Sequence, residues 1–209
     1  MGCNSIPEIG FREFTERFFL GKIRKRIPKR GTIELTNRCN LNCKHCYITH
    51  QGYDELDTHE WKHLLDQIAD EACLGVVLTG GEPLFRKDFA ELYIYAKLKG
   101  LLITLFTNGT LIDKMIEVFK EYPPHSCEVS IYGTTEATYE SVTGVRGSFR
   151  QCVQGIELLL KQGISVSLKT MVMRDNAHEL NQMRDMATRL GVKFGYDSLI
   201  NPRLNGSSE

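Results

Sequence analysis

The sequence has no excess charge of either sign and no long hydrophobic run. Lysine and arginine together number 26 among 209 residues, as do aspartate and glutamate, so no global field favours nucleic acid as a partner. No apolar run is long enough to cross a bilayer, and the N-terminal residues lack the hydrophobic segment of a signal peptide. These absences argue against a membrane or nucleic-acid partner and predict a cytoplasmic protein.

Cysteine is scarce outside one short segment. Three of the seven cysteines, Cys39, Cys43 and Cys46, fall within TNRCNLNCKHCY with the spacing C-x3-C-x2-C. The other four are scattered without metal-ligand spacing, at Cys3, Cys73, Cys127 and Cys152. A cluster of cysteines in a chain of this length indicates a metal site in a reducing compartment rather than a disulfide framework.

The spacing of the clustered cysteines fits two kinds of metal site. Thiolates are soft ligands suited to iron–sulfur clusters and to zinc. A four-iron cluster held by three cysteines keeps one iron open to another ligand, which lets the cluster bind and reduce a cofactor. The alternative is a zinc ion with His45 or His50 as the fourth ligand.

Short strand-like segments alternate with helix-like segments along most of the chain. The strand-like segments are mostly rich in β-branched or large apolar residues and comprise Thr32–Leu35, Val76–Thr79, Leu102–Phe106, Glu128–Ile131, Ser165–Met171 and Lys193–Asp197. Strand–helix alternation requires a mainly parallel sheet with right-handed crossovers, so the predicted fold class is α/β. In such sheets, ligands bind beyond the carboxyl ends of the strands.

Polar residues predict where three of the intervening helices begin. Asp57 and Glu60 have the spacing of a capping box ahead of an apolar helical stripe. Ser148 is positioned to cap a further helix, and Asn176 with Glu179 to open the last one.

The first 30 residues are interpreted as an N-terminal extension of the core at residues 31–209. Phe11, Phe14 and Phe18 have helical spacing and predict a small helix that docks on the core. A dense basic run follows, at Lys22, Arg24, Lys25, Arg26, Lys29 and Arg30. This run is either a solvated connector or a site of attraction for an acidic leader peptide or RNA.

Unusual residues collect just after the first three predicted strands. The cysteine loop follows the first strand, Gly80-Gly81-Glu82-Pro83 the second, and Thr107-Asn108-Gly109-Thr110 the third. Paired glycines let a ligand approach the backbone, and Glu82 would add a charged acceptor for an ammonium group. Each segment alone is typical of a turn, but three at consecutive strand ends indicate a ligand site.

The three segments resemble the radical S-adenosylmethionine (SAM) superfamily, and the resemblance covers most of the chain. It rests on CxxxCxxC followed by Tyr47, on GGEP at Gly80–Pro83 and on TNG at Thr107–Gly109. The resemblance implies a partial TIM-like barrel of six βα units, with mainly parallel strands. It also implies that Cys39, Cys43 and Cys46 hold a [4Fe–4S] cluster whose free iron binds SAM. An external one-electron donor would drive cleavage of SAM to a 5′-deoxyadenosyl radical, which abstracts hydrogen from a substrate.

The family resemblance further implies how SAM is held. Gly80, Gly81, Glu82 and Pro83 would bind its methionyl amine, while Tyr47 would approach the adenine or pack with apolar neighbours. Asn108 is a candidate for the ribose and Ser130 for the ribose or carboxylate. Lys169 would pair with the carboxylate or lie solvated, and Leu199 with Ile200 would flank adenine or belong to the core.

A narrower resemblance concerns the radical SAM enzymes that carry a C-terminal SPASM domain. It rests on GGEPLFRKDFAELYIYAKLKGLLITLFTNGTLI, SIYGTTEATYESVTGVRGSF and LINPRLNGS. That group modifies peptides and proteins, so a peptide or protein substrate is expected. No cysteine follows Cys152, which implies a core truncated after the sixth strand or completed by a partner. The alternatives are cofactor biosynthesis, RNA modification, or an inactive remnant or zinc-binding module.

Overall fold

The fold is built on one sheet of parallel strands. The computed structural model describes residues 10–18, 28–48, 55–204 and 206. Within these residues the sheet has six strands: β1 (Arg30–Glu34), β2 (Gly75–Thr79), β3 (Leu102–Thr107), β4 (Ser126–Ser130), β5 (Val166–Met171) and β6 (Lys193–Asp197). The predicted strands are confirmed, with bounds that differ by at most two residues and that are identical for β6.

The strands lie in the sheet in the order in which they occur in the chain, β1-β2-β3-β4-β5-β6, and every neighbouring pair is parallel. Each connection therefore crosses over from one end of the sheet to the other. Because all strands point the same way, all their carboxyl ends meet at one edge. The α/β class and the partial TIM-like barrel of six parallel strands are confirmed.

One described helix precedes the first strand, and the others lie in the connections between strands. The described α-helices are α1 (Phe11–Phe18), α2 (Thr58–Asp70), α3 (Phe89–Leu98), α4 (Ile116–Glu121), α5 (Glu136–Thr143), α6 (Ser148–Lys161) and α7 (Leu180–Leu190). Short 3₁₀ turns are found at Pro83–Phe85, Ile112–Lys114 and Ala177–Glu179. The sequence patterns did not predict α3 or α5, which lack a single clear apolar stripe.

The hydrophobic core lies between the strands and the helices. Alternate strand residues supply one side of it, including Ile33, Leu78, Ile103, Val129 and Leu168. The intervening strand residues face the other side of the sheet, where Phe106, Glu128, Ser130 and Lys169 line cavities. This alternation follows from the two-residue period of a strand, and it leaves polar side chains on the concave side.

The predicted side-chain cap forms at one of the three predicted helix starts. Asp57 caps α2 in a capping box, accepting the Glu60 N–H at 2.8 Å, while Glu60 accepts the Asp57 N–H at 2.8 Å. Ser148 is instead the first residue of α6 rather than its cap, and its hydroxyl donates to the Val145 carbonyl at 2.6 Å.

The last helical segment begins directly after Asn176, as predicted, with the 3₁₀ turn Ala177–Glu179 that leads into α7, but neither the Asn176 nor the Glu179 side chain caps it. The Asn176 side chain binds backward, accepting the Met173 N–H at 2.7 Å and donating to the Met171 carbonyl at 2.9 Å. The Glu179 carboxylate lies between elements and accepts hydrogen bonds from Thr134 and Thr135, ahead of α5. The Asn176 side chain thus satisfies backbone groups just before the turn, and the Glu179 carboxylate satisfies donors at the start of α5.

The N-terminal helix forms as predicted, but its Phe11 side chain is 85% exposed, so this residue does not pack on the core. The basic residues Lys22, Arg24, Lys25 and Arg26, together with Cys3 and His50, lie outside the described residues. Cys73, Cys127 and Cys152 are buried, as expected of small apolar side chains. In the described part of the chain, no helix has both the length and the apolar character needed to cross a membrane.

Candidate functional site

A cavity of about 420 Å³ lies at the carboxyl ends of the strands, within the size range of small-molecule sites. It brings together ten of the thirteen residues predicted from the sequence to bind the cluster or SAM: Cys39, Cys43, Cys46, Tyr47, Gly80, Gly81, Asn108, Ser130, Leu199 and Ile200. Thr79, Thr107 and Ser130 end β2, β3 and β4, so the expectation that ligand-site residues collect at strand ends is fulfilled.

The three cysteine side chains are half-buried in this cavity and form no disulfide. Burial, together with the neighbouring charges of Cys39 and Cys46, raises the pKa of Cys43 to about 12. Burial also raises the pKa of Cys39 to about 11, although the Leu41 N–H lowers it by donating to the sulfur at 3.4 Å. A positively charged metal centre would offset this cost of forming thiolates, so the three sulfurs fit an iron–sulfur cluster.

A single zinc ion fits this arrangement less well. Within residues 10–18, 28–48, 55–204 and 206, no three His, Cys, Asp or Glu side chains converge on one metal-ion position. A cubane cluster does not need such convergence because each cysteine binds a different iron. The predicted zinc ligand His45 packs against the Tyr132 ring, with centroids 4.8 Å apart. Burial lowers the pKa of His45.

The cysteine loop is held from two sides by backbone hydrogen bonds. On one side, the N–H groups of Asn42 and Lys44 donate to the carbonyls of Thr143 and Val142, at 2.9 and 3.0 Å. These carbonyls lie at the end of α5, so the loop is fixed to a helix about 100 residues further along the chain. The positions of the sulfurs therefore depend on the assembled barrel rather than on the loop alone.

On the other side, the loop packs directly against the Gly80–Gly81 segment. Gly81 N–H donates to the Thr36 carbonyl at 2.7 Å. A Cβ on Gly80 would lie 2.3 Å from the Thr36 oxygen, and one on Gly81 would lie 2.4 Å from the Arg38 oxygen. The glycines are thus required by contact between two protein backbones, a reason that the sequence did not indicate. They also line the cavity with backbone alone.

Glu82 occupies a different position from the expected one. Its carboxylate is fully buried and does not line the cavity. It accepts the Thr107 hydroxyl at 2.8 Å, the Asn108 N–H at 2.7 Å and the Leu84 N–H at 3.1 Å. Burial raises the pKa of Glu82 to about 7, although these hydrogen bonds lower it. In this conformation Glu82 joins two strand ends rather than facing an ammonium group, and neighbouring Pro83 is also buried.

A second cavity of about 440 Å³ adjoins the first. The two share lining residues, among them His45, Phe106 and Ser130. Lys169 belongs to the second cavity and not to the cysteine-lined one, and its ammonium group lies 3.6 Å from the Glu128 carboxylate. Lys169 therefore lies outside the cysteine-lined cavity, beside an acidic partner, although Ser130, its neighbour across the β4–β5 pair, lines both cavities.

The segment that follows β6 crosses to the cysteine loop. Leu199 and Ile200 line the cysteine-lined cavity, and the Leu204 N–H donates to the Tyr47 carbonyl at 2.9 Å. The Tyr47 hydroxyl donates to the Glu34 carboxylate at 2.8 Å, which fixes the ring at the cavity edge. These contacts keep three of the predicted adenine neighbours on one side of the cavity.

Sequence reasoning missed several residues of the site. Phe106, Tyr132 and Met171 line both cavities, and all lie at or just beyond a strand end. The strand-end rule that identified Asn108 also applies to these residues, but their apolar character made them look like core. Asn40, which contacts Asn108, gave no signal of its own.

Residues 33–187 match the Radical SAM superfamily. An AdoMet-dependent heme synthase of Nitratidesulfovibrio vulgaris is 36% identical over 173 residues, covering 81% of this chain and 47% of that protein. A PqqA peptide cyclase of Gluconobacter oxydans is 33% identical over 163 residues, covering 76% and 46% respectively. The chain spans about half the length of the curated relatives that it matches.

Solved structures show the same fold. Streptococcus suis SuiB bound to S-adenosylmethionine superposes with a TM-score of 0.73 at 18% identity, covering 88% of this chain and 44% of that one. SuiB bound to the precursor peptide SuiA gives 0.72, also at 18% identity, covering 81% and 39%. With a family match that extends over more than half of its residues, the chain belongs to the radical SAM superfamily, whose enzymes use a [4Fe–4S] cluster and SAM.

Proposed function

We propose that Cys39, Cys43 and Cys46 ligate a [4Fe–4S] cluster and that SAM binds beside it in the cysteine-lined cavity. When bound and reduced by an external one-electron donor, the cluster supplies the electron that cleaves SAM and generates a 5′-deoxyadenosyl radical. The observation that carries this proposal is that the three cysteines share one cavity with Gly80, Gly81 and other predicted SAM neighbours.

The protein's own part in this chemistry is to position the cofactor and to exclude water. Gly80 and Gly81 present backbone to the cavity, where peptide groups are able to bind the polar end of SAM. Tyr47, Leu199 and Ile200 also line the cavity and offer apolar surface to adenine. Ser130 lines both cavities and is suited to the ribose or carboxylate.

Anaerobic reconstitution with iron and sulfide tests the cofactor assignment. We expect a brown protein with broad absorption near 400 nm that, with dithionite, converts SAM to methionine and 5′-deoxyadenosine. A colourless protein that binds zinc and leaves SAM intact would contradict the proposal. Asn181→Leu, on an exposed part of α7, is a control that retains both the colour and the reaction.

The proposed substrate is a peptide or protein. The support comes from the PqqA peptide cyclase, which is similar over 76% of this chain, and from the shared fold of peptide-bound SuiB. The second cavity adjoins the cysteine-lined one and carries Glu128, Lys169 and Asp197, which are suited to polar groups of a peptide. Lys169 is then assigned to the substrate rather than to SAM.

A tetrapyrrole substrate is the second candidate, because the heme synthase of Nitratidesulfovibrio vulgaris has the higher identity of the two relatives. The two substrate classes are distinguished by mass spectrometry after incubation with SAM and dithionite. Peptides encoded beside the gene, iron porphyrins and purified tRNA serve as parallel substrates. A SAM-dependent mass change in a peptide supports the proposal, whereas a change confined to a porphyrin or to tRNA would overturn the peptide assignment.

The proposal also includes a partner that supplies further parts of the enzyme, because the chain spans about half the length of the curated relatives that it matches. The test for a partner is to add an extract from cells in which this gene is deleted. Peptide modification that requires the extract supports a partner. Full activity of the purified chain argues against one.

A further inference from the structure

All hydrogen-bonding positions of the Asn108 side chain are used within the protein. Its Nδ2 donates to the Asn40 Oδ1 at 2.9 Å and towards the Cys39 Sγ at 3.8 Å. Its Oδ1 accepts the Thr110 N–H at 2.9 Å and the Thr110 hydroxyl at 2.6 Å. An asparagine amide offers two N–H donors and an oxygen that accepts two hydrogen bonds, so no position remains for a ribose hydroxyl.

Three of these side chains form a closed ring of hydrogen bonds. Asn108 donates to Asn40, Asn40 donates to the Thr110 hydroxyl at 2.8 Å, and Thr110 donates back to Asn108. Each of the three side chains donates one hydrogen bond and accepts one, and all three bonds run in the same sense around the ring. Hydrogen bonds in such an arrangement strengthen one another. Because Asn40 directly follows Cys39, the ring holds the Asn108 amide next to a cysteine sulfur.

The turn that makes the ring possible depends on Gly109. Its φ is +78°, in the left-handed region that favours glycine. A Cβ at this position would also lie 2.8 Å from the Val129 side chain. The Asn108 backbone is fixed independently, since its N–H donates to buried Glu82 at 2.7 Å. The amide is therefore oriented from both its backbone and its side chain before any ligand binds.

We propose that Asn108 is a positioning residue of the metal centre, whose amide donates an N–H···S hydrogen bond to Cys39 and makes the bound cluster easier to reduce. This inference rests on the proposed function, because it requires a cluster on the three cysteines. A reduced cluster carries one more negative charge than an oxidised one, so a hydrogen bond to its sulfur ligand stabilises the reduced form more. The role replaces the expected contact with the ribose.

The test is a potentiometric titration of the reconstituted chain, followed by EPR without SAM or substrate. Asn108→Leu removes the amide at similar size, and Asn108→Asp replaces the donor with a negative charge. At the midpoint potential of the wild type, we expect the reduced fraction to fall in the order wild type, N108L, N108D. Losing the hydrogen bond changes the reduction equilibrium only by the difference in its strength between the two oxidation states, so a shift of up to about tenfold is expected. A purely structural role would not produce this order.

Two further variants complete the test. Asn181→Leu makes the same change on an exposed part of α7 and is expected to keep the wild-type potential. Thr110→Val keeps the Asn108 amide but loosens its orientation, so the reduction potential is expected to fall by less than in the Asn108 variants. If the Asn108 variants retain no cluster, T110V is the variant that tests the inference. A wild-type reduction potential in the Asn108 variants, or in T110V if the Asn108 variants hold no cluster, would overturn this inference but not the proposed function. A wild-type chain that takes up no cluster would instead overturn the proposed function.

Discussion

The Glu82 carboxylate accepts the backbone N–H of Asn108 at 2.7 Å, and the contact is completely buried. Glu82 follows β2 and Asn108 follows β3, so one side chain joins the two strand ends that border the cysteine loop. The same carboxylate also accepts the Thr107 hydroxyl and the Leu84 N–H. An acidic side chain that does not line the cavity therefore holds together the two strand ends beside it.

Replacing Glu82 with alanine is expected to destabilise the whole chain. The change leaves three buried donors without an acceptor, and each such group costs about 1–3 kcal/mol. We expect the free energy of unfolding, measured by urea denaturation, to fall by about 3 kcal/mol or more. Glu117→Ala removes an exposed carboxylate paired with Lys120 and is expected to change it by under about 1 kcal/mol. Equal stabilities of E82A and E117A would refute the assigned role.

Replacing Gly81 with alanine is expected to separate the Gly80–Gly81 segment from the cysteine loop. The new Cβ would lie 2.4 Å from the Arg38 oxygen, and backbone atoms have to move to relieve the contact. Overpacking of this kind costs about 1–3 kcal/mol. We expect a lower melting temperature and a lower iron content after reconstitution. The control is Gly31→Ala, where a Cβ meets nothing within 4 Å; matching losses in both variants would argue against the prediction.

Replacing Cys43 with alanine is expected to abolish assembly of the three-cysteine cluster, because one iron loses its thiolate. Iron and sulfide content and the EPR spectrum of the reduced protein provide the measurement. Cys73→Ser is the matched control, since Cys73 is buried, lies outside the cavity and donates to the Gly75 carbonyl at 3.3 Å, which a serine hydroxyl is able to replace. Unchanged iron content in C43A would rule out its role as a ligand.

Glu179 is expected to make stability depend on pH in the acidic range. Although burial raises its pKa, hydrogen bonds from Thr138, Thr135 and Thr134 lower it from 4.5 to about 2. The folded state thus holds the proton less tightly than the unfolded chain. The resulting stability is fully present above pH ~4.5 and is lost as the pH falls towards ~2. Between pH ~6 and ~3 this group is expected to reduce the free energy of unfolding by about 2 kcal/mol.

Urea denaturation of the wild type and of Glu179→Gln at pH ~6 and pH ~3 checks this prediction. The free energy of unfolding of Glu179→Gln is expected to fall by about 2 kcal/mol less than that of the wild type between these pH values. The Nε2 atom of His178 lies 3.7 Å from the carboxylate, so His178→Asn is measured in parallel. Glu157→Gln, an exposed glutamate on α6, is expected to keep the wild-type dependence. A Glu179→Gln curve parallel to that of the wild type would refute the assignment.

Local patterns predicted much of the fold and the centre of the site. Strand periodicity identified the six strands, and the Asp57–Glu60 spacing gave a correct helix start because both partners lie within one turn. The cysteine spacing and the strand-end rule together indicated which residues share a cavity. In each case the information needed was contained in a few consecutive residues or in a rule of topology.

Long-range partners account for what the sequence did not predict. Glu179 has the spacing of a capping residue, yet its partners lie 41–45 residues earlier in the chain. Glu82 has the position of a cofactor ligand, but threonine and backbone donors about 25 residues away enclose it. A local sequence pattern shows which chemical group stands at a position. The hydrogen-bond partner of that group depends on which distant segments of the chain pack against it.

The bonds from Asn42 and Lys44 to the end of α5 affect the order in which the protein assembles. Closing this contact requires the chain up to Thr143 to be synthesised and packed, which includes the first four strands. During translation, the cysteine loop therefore emerges long before its final support does. Metal loading is expected to be a late step in biogenesis, following the formation of most of the sheet instead of nucleating it.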